Sequence, residues 1–121
     1  MRLASAQATI QQQYLVDNYP KSIVLEGKNL DDAYGKLVAG SVDLVLADSI
    51  VQMAFLQSDR GGDFAYVGDP LKAEVLNSAA YITFHKGLDD KAAEFTDALK
   101  HIRLDGTYDR INRKFVPFNI Y

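Results

Sequence analysis

Short apolar runs alternate with amphipathic stretches along most of the chain. Val42, Leu44, Val45 and Leu46 form a nearly continuous apolar run, the pattern of a strand covered on both faces. Gly40 precedes it, where a helix ends in left-handed backbone. This run is the expected central strand, and it ends at Asp48. Upstream, residues 2–7 are a further strand candidate. Thr9 then caps a helix whose buried side is Ile10, Tyr14 and Leu15. Asn18-Tyr19-Pro20 stops it, because the residue before proline leaves the α region. Residues 22–26 read as a strand. Asn29 caps the next helix, with Asp31 and Asp32 in its positive first turn. Leu30, Ala33, Tyr34, Leu37 and Val38 fall at helical spacing and define its packed face.

Downstream of Asp48, a helix is expected to bury Val51, Ala54 and Phe55. Residues 58–63 form a solvated loop by composition, and 64–67 a strand closed by Gly68-Asp69-Pro70. Residues 71–79 are less regular, and 80–84 read as another strand. Ala92, Phe95, Leu99 and Ile102 mark one stripe of a helix from Asp89 to Leu104. Asp105-Gly106 breaks it. Thr107 is expected to cap a last short helix carrying Tyr108, Ile111 and Phe115, and Pro117 to stop it. The tail 118–121 is apolar enough to need a docking surface. A strand–helix alternation of this kind predicts an α/β fold with a parallel sheet and helices on both faces.

Composition narrows the picture. At 121 residues the chain is most simply one domain, with 48% hydrophobic and 24% charged residues. A net charge of −3 argues against nucleic acid or an anionic membrane as partner. No cysteine is present, so disulfides, thiolate metal sites and cysteine nucleophiles are out. No apolar run approaches the roughly 20 residues of a membrane span. The first six residues are too short and polar for a signal peptide. His85 stands without the partners a metal site needs, so no metal is expected, and no cofactor motif is visible.

Two places carry candidate chemistry. Asp48 lies at the carboxyl end of a strand, where ligands of open α/β sheets bind. It either caps the following helix or receives a ligand cation. The helix start at Thr9 presents free N–H groups, which favour an anion such as a carboxylate. A plain capped helix is the other reading there. Together the two would suit a zwitterion. Asp43, at the strand entrance, reads as solvated or paired to a loop.

Several stretches resemble the second lobe and C-terminus of periplasmic polar-amino-acid-binding proteins of ABC transporters, of the lysine/arginine/ornithine- and histidine-binding type. They are Gln7-Ala8-Thr9-Ile10-Gln11 with Tyr14, Leu37-Val38-Ala39-Gly40-Ser41-Val42-Asp43 through Asp48, and Asp63-Phe64 through Gly68-Asp69-Pro70. The last are Asp105-Gly106-Thr107-Tyr108-Asp109, Lys114-Phe115 and the tail 118–121. The resemblance implies a type II periplasmic-binding-protein lobe over 1–86, with C-terminal helices over 87–121. It implies a non-catalytic binder of a polar, cationic L-amino acid, in the periplasm. Asp48 would meet the α-ammonium. The turn Ala8-Thr9-Ile10-Gln11 would meet the α-carboxylate, although Ala8 stands where the family has glycine and Ile10 where it has a hydroxyl.

The family's first lobe supplies an arginine for the carboxylate, an aromatic platform and most side-chain selectivity. No counterpart is in this sequence, so a truncated form with weak binding is expected. The stripe Phe95/Leu99/Ile102 and the face Tyr108/Ile111/Phe115 would then lack their usual cover. The implied partners are the amino acid, the first lobe or a second copy (swapped or not), and the membrane permease. Two alternatives remain: a ligand-free self-associating lobe, and an enzyme on the same scaffold such as a cyclohexadienyl-type dehydratase. The latter needs an acid or base besides Asp48, and only His85 offers one.

Overall fold

Three consecutive buried residues, Leu3, Ala4 and Ser5, lie in the first strand, β1 (Arg2–Ala6). Side chains alternate faces along a strand, so a run like this is covered on both sides. β1 is the middle of a three-stranded parallel sheet in the order β2-β1-β3. β2 (Ile23–Gly27) pairs along its whole length, whereas β3 (Leu44–Val45) pairs only at Leu3↔Leu44 and Ala4↔Val45. The computed structural model describes residues 1–77 and 80–118. They fall in two compact units, Met1–Ser78 and Ala79–Tyr121.

In the first unit, α1 (Ile10–Asn18) connects β1 to β2, and α2 (Leu30–Val38) connects β2 to β3. Ala4 packs with Ala33 of α2 and with Val42, joined by Leu25, Leu30, Leu37 and Val45. Gly27 permits this close approach, since a Cβ there would lie 2.6 Å from the Asn29 carbonyl and 2.9 Å from the Ala33 Cβ. Asn29 caps α2 by accepting from the Asp32 N–H at 2.9 Å, and Asp32 in turn accepts from the Lys28 N–H at 2.9 Å. α3 (Ser49–Leu56) lays Phe55 flat on Tyr34, ring centroids 4.0 Å apart and 3° from parallel. A short 3-10 turn spans Glu74–Leu76.

The second unit is helical. α4 (Asp89–Leu104) packs on α5 (Thr107–Asn112), with Arg103 over the Tyr108 ring. Asn112 is buried and donates to the Phe118 carbonyl at 2.7 Å.

The α/β class and the parallel sheet stand as expected, but several details do not. The run 42–46 is an edge, not the centre: Val42 is buried in the core while Leu44 and Val45 are half-buried. Among the described residues, the segments 64–67 and 80–84 belong to no strand. Tyr66, Val67, Tyr81 and Ile82 are accordingly exposed, since β-propensity reports fit to a pleated, half-buried surface that these residues lack. Val51 and Ala54 of α3 face outward. Gln52 turns in instead, donating to the Val45 carbonyl at 2.9 Å. Ile10 and Val38 are also exposed, lying at the first and last positions of their helices. Thr107 does not cap α5. Gly106 is the N-cap, without a side chain to close it, and the Asp105 carboxylate accepts from the Thr107 N–H at 2.8 Å, two residues on, in an Asx turn. Of the tail, residues 119–121 lie outside the described residues.

Candidate functional site

The turn after β1 is built by its backbone. The Gln7 N–H donates to the Gly27 carbonyl at 2.8 Å, tying the end of β1 to β2. Ala8 then takes a left-handed backbone with φ 57°. So the chain makes the tight turn with alanine, at a cost of about 1–2 kcal/mol relative to ordinary backbone. Thr9 follows in extended conformation as the N-cap of α1. Its hydroxyl accepts from the Gln12 N–H at 3.2 Å, and its one proton goes to the Ala6 carbonyl at 2.7 Å. The Thr9 carbonyl accepts from the Gln13 N–H. That leaves the N–H groups of Ile10 and Gln11 as the first-turn donors without an acceptor among the described residues. The Ile10 side chain offers no polar atom, so its contribution to any anion is the backbone alone.

Asp48 is the N-cap of α3. Its Oδ1 accepts from the Ile50 N–H at 2.9 Å and the Val51 N–H at 3.4 Å. The cap therefore engages one carboxylate oxygen. Oδ2 accepts no hydrogen bond from the described residues, and the residue is exposed. Two tyrosines stand in its field. Tyr66 donates its hydroxyl to the Ser49 carbonyl. Tyr34 is buried with its hydroxyl unpartnered. Burial, with smaller contributions from Tyr66 and the Asp48 charge, pushes the Tyr34 phenol up to about 12. Tyr66 is raised as well, by burial and then by Asp48. Both phenols stay protonated at neutral pH.

Parallel pairing places the two turns on the same edge of the sheet. Continuing the register Leu3↔Leu44, Ala4↔Val45 sets Ser5 beside Leu46, one residue before the end of β1 and one residue after the end of β3. The Leu46 N–H donates to the Ala4 carbonyl at 2.9 Å. The Ser5 hydroxyl donates to the Leu46 carbonyl at 2.8 Å and stands 3.5 Å from the Thr9 hydroxyl oxygen. Asp43 lies at the opposite end of β3, clasped to Arg2. Its Oδ2 accepts from the Arg2 backbone N–H at 2.7 Å, and its Oδ1 accepts from the guanidinium at 2.6 Å. The His85 ring contacts its neighbour's Lys86 carbonyl at 2.8 Å. Among the described residues, no group of three or more His, Asp or Glu is placed to hold a metal ion. The sequence marked Tyr34 as a packed residue of its helix but not as a neighbour of Asp48, and gave Ser5 and Tyr66 no part in the site. For Ser5 the signal was there, a hydroxyl inside the run Leu3-Ala4-Ser5-Ala6.

No protein-family model matches the chain. Individual relatives do. The lysine/arginine/ornithine-binding periplasmic protein of Escherichia coli is 34% identical over 95 residues, covering 77% of this chain and 36% of that one. The L-arginine-binding protein of Pseudomonas aeruginosa is 33% identical over 100 residues, 81% and 39% of the two chains. The histidine-binding periplasmic protein of Salmonella typhimurium is 28% identical over 127 positions, 99% and 48% of the two. The chain belongs to the family of periplasmic amino-acid-binding proteins. It spans under half the length of these relatives. The family's names state binding, not catalysis. Among the described residues no helix is long and apolar enough to cross a membrane.

Proposed function

We propose that this chain is a solute-binding lobe that recognises the zwitterionic head of a polar, cationic L-amino acid without chemical transformation. One observation carries the reading. Two complementary half-sites lie at the carboxyl ends of adjacent parallel strands: free α1 amides after β1, and a carboxylate with one uncommitted oxygen after β3. The Ile10 and Gln11 N–H groups take the ligand carboxylate. Ala8 shapes that turn and Thr9 caps it, its hydroxyl proton already directed at Ala6. Asp48 takes the ammonium through Oδ2 as a charge-assisted hydrogen bond. The names of the relatives favour lysine, arginine, ornithine or histidine as ligand.

Asp48 and the turn Ala8–Thr9 include exposed groups, so water competes at this half-site and binding by this chain alone is weak. Exposed ion pairs contribute about 0–1 kcal/mol each. We assign the lobe to residues 1–86 and the cover for a first lobe, or for a second copy, to 87–121. In a complete binding protein the partner beyond the ligand is an ABC permease.

Amide NMR titration with arginine, lysine, ornithine and histidine tests the site. Shifts at Ile10, Gln11 and Ser49 with millimolar saturation are expected. Asp48→Asn keeps an N-cap oxygen but removes the charge. It should move those shifts to several-fold higher ligand concentration with the fold intact. Unchanged titration in that variant would sink the role of Asp48. A second reading, a self-associating lobe, is favoured by the exposure of Phe95, Leu99, Ile111 and Phe115.

A further inference from the structure

The two half-sites are useful only if the distance between them is fixed, and one buried hydroxyl lies between them. Ser5 is 2% exposed. The last ladder bond between β1 and β3 runs from the Leu46 N–H to the Ala4 carbonyl. Beyond it, the Ser5 hydroxyl closes the pair by donating to the Leu46 carbonyl at 2.8 Å. The same oxygen touches the Thr9 hydroxyl oxygen at 3.5 Å. Because the Thr9 proton goes to Ala6 and the Ser5 proton to Leu46, these oxygens are in contact without either donating to the other. Ser5 thus packs against the cap of α1 on one side and is hydrogen-bonded two residues before Asp48 on the other. A serine side chain has a single rotatable bond between backbone and hydroxyl oxygen, so this link has little slack. Its net worth to folding is modest, about 1 kcal/mol for a typical protein hydrogen bond. Alanine would pack in the same strand, as Ala4 and Ala6 do.

We propose that Ser5 is a positioning residue that sets the separation between the α1 amides and Asp48, and so selects α-amino acids over β-amino acids. In an α-amino acid one carbon joins ammonium and carboxylate; in a β-amino acid two do. The inference rests on the zwitterion reading above. Its test compares L-arginine with L-β-homoarginine on the full chain, following the Ile10 and Gln11 amides by NMR, in wild type and Ser5→Ala. Wild type favours the α form. Ser5→Ala narrows that preference by about threefold or more, the scale of one positioning hydrogen bond. A purely structural serine would weaken both ligands alike and leave the ratio unchanged, which overturns the proposal, as does a wild type without preference. No response of wild type to arginine overturns the zwitterion site itself and Ser5 with it. If Ser5→Ala does not fold, Ser5→Cys makes the same comparison, since it nearly keeps the volume but donates weakly.

Discussion

Ala8 holds a left-handed backbone, φ 57°, at the turn that opens α1. An L-residue there costs about 1–2 kcal/mol, while glycine would bring extra unfolded-state freedom worth about 0.4–1 kcal/mol. Ala8→Gly should therefore stabilise the fold by about 0.5–1 kcal/mol, read as a higher urea midpoint at unchanged slope. A lower midpoint would mean that the Ala8 methyl packs usefully in the turn. The neighbouring Thr9 shows why a residue type does not settle a role. A hydroxyl has one proton, and the fold directs it to the Ala6 carbonyl. What remains for an anion is the amide pair behind it, which any residues but proline at positions 10 and 11 would provide.

Among the elements, the helices were legible from sequence and the strands only in part: 2–7, 22–26 and the 42–46 run contain β1, β2 and β3, whereas 64–67 and 80–84 join no ladder among the described residues. Asn29 and Thr9 cap where expected because a cap is a local event, closed within three residues. A strand is half of a pair. The segments 64–67 and 80–84 have the composition of strands without a ladder, and β3 is an edge because β1, with its small residues, takes the middle. The site follows the same division. Asp48 and the Thr9 turn could be placed from strand-end position, whereas Ser5 acquires meaning only from Leu46, 41 positions away.

The β1–β3 pair also has a charged clasp at its amino end. Asp43 accepts from the Arg2 side chain and backbone, which hold its carboxyl down at about 2. The unfolded value is near 4 for an aspartate. A depressed folded pKa means the stabilisation is fully present above about pH 4 and is lost as pH falls through about 2. Thermal melts between pH 7 and pH 2 should show wild type losing a contribution in that window that Asp43→Asn lacks. Parallel curves for the two proteins would show that the clasp adds nothing to folding.

At the scale of the molecule, the second unit leaves much of its apolar surface open. Phe115 is 74% exposed and Leu104 88%, with Ile111 at 48% on the same short helix as Tyr108. The α4 residues Phe95 and Leu99 are also exposed, although Phe95 meets the edge of Phe84. Soluble monomers seldom expose contiguous apolar patches beyond a few hundred Å². Charge does not oppose contact strongly here, since Lys91 and Lys100 are already paired to Glu94 and Asp97 along α4. We expect the mass from light scattering to rise with concentration toward a dimer. Replacing Ile111 and Phe115 by serine should return it to a monomer, because both side chains are exposed and their loss costs the isolated unit little. A wild type that stays monomeric across the range would show that these side chains find cover within one chain. If the mass rises equally in the variant, association uses the first unit's exposed Val51, Tyr66 and Val67 instead. The two outcomes differ functionally. Pairing through α3 covers the residues that follow Asp48, so in that case association and ligand compete for the same end of the first unit.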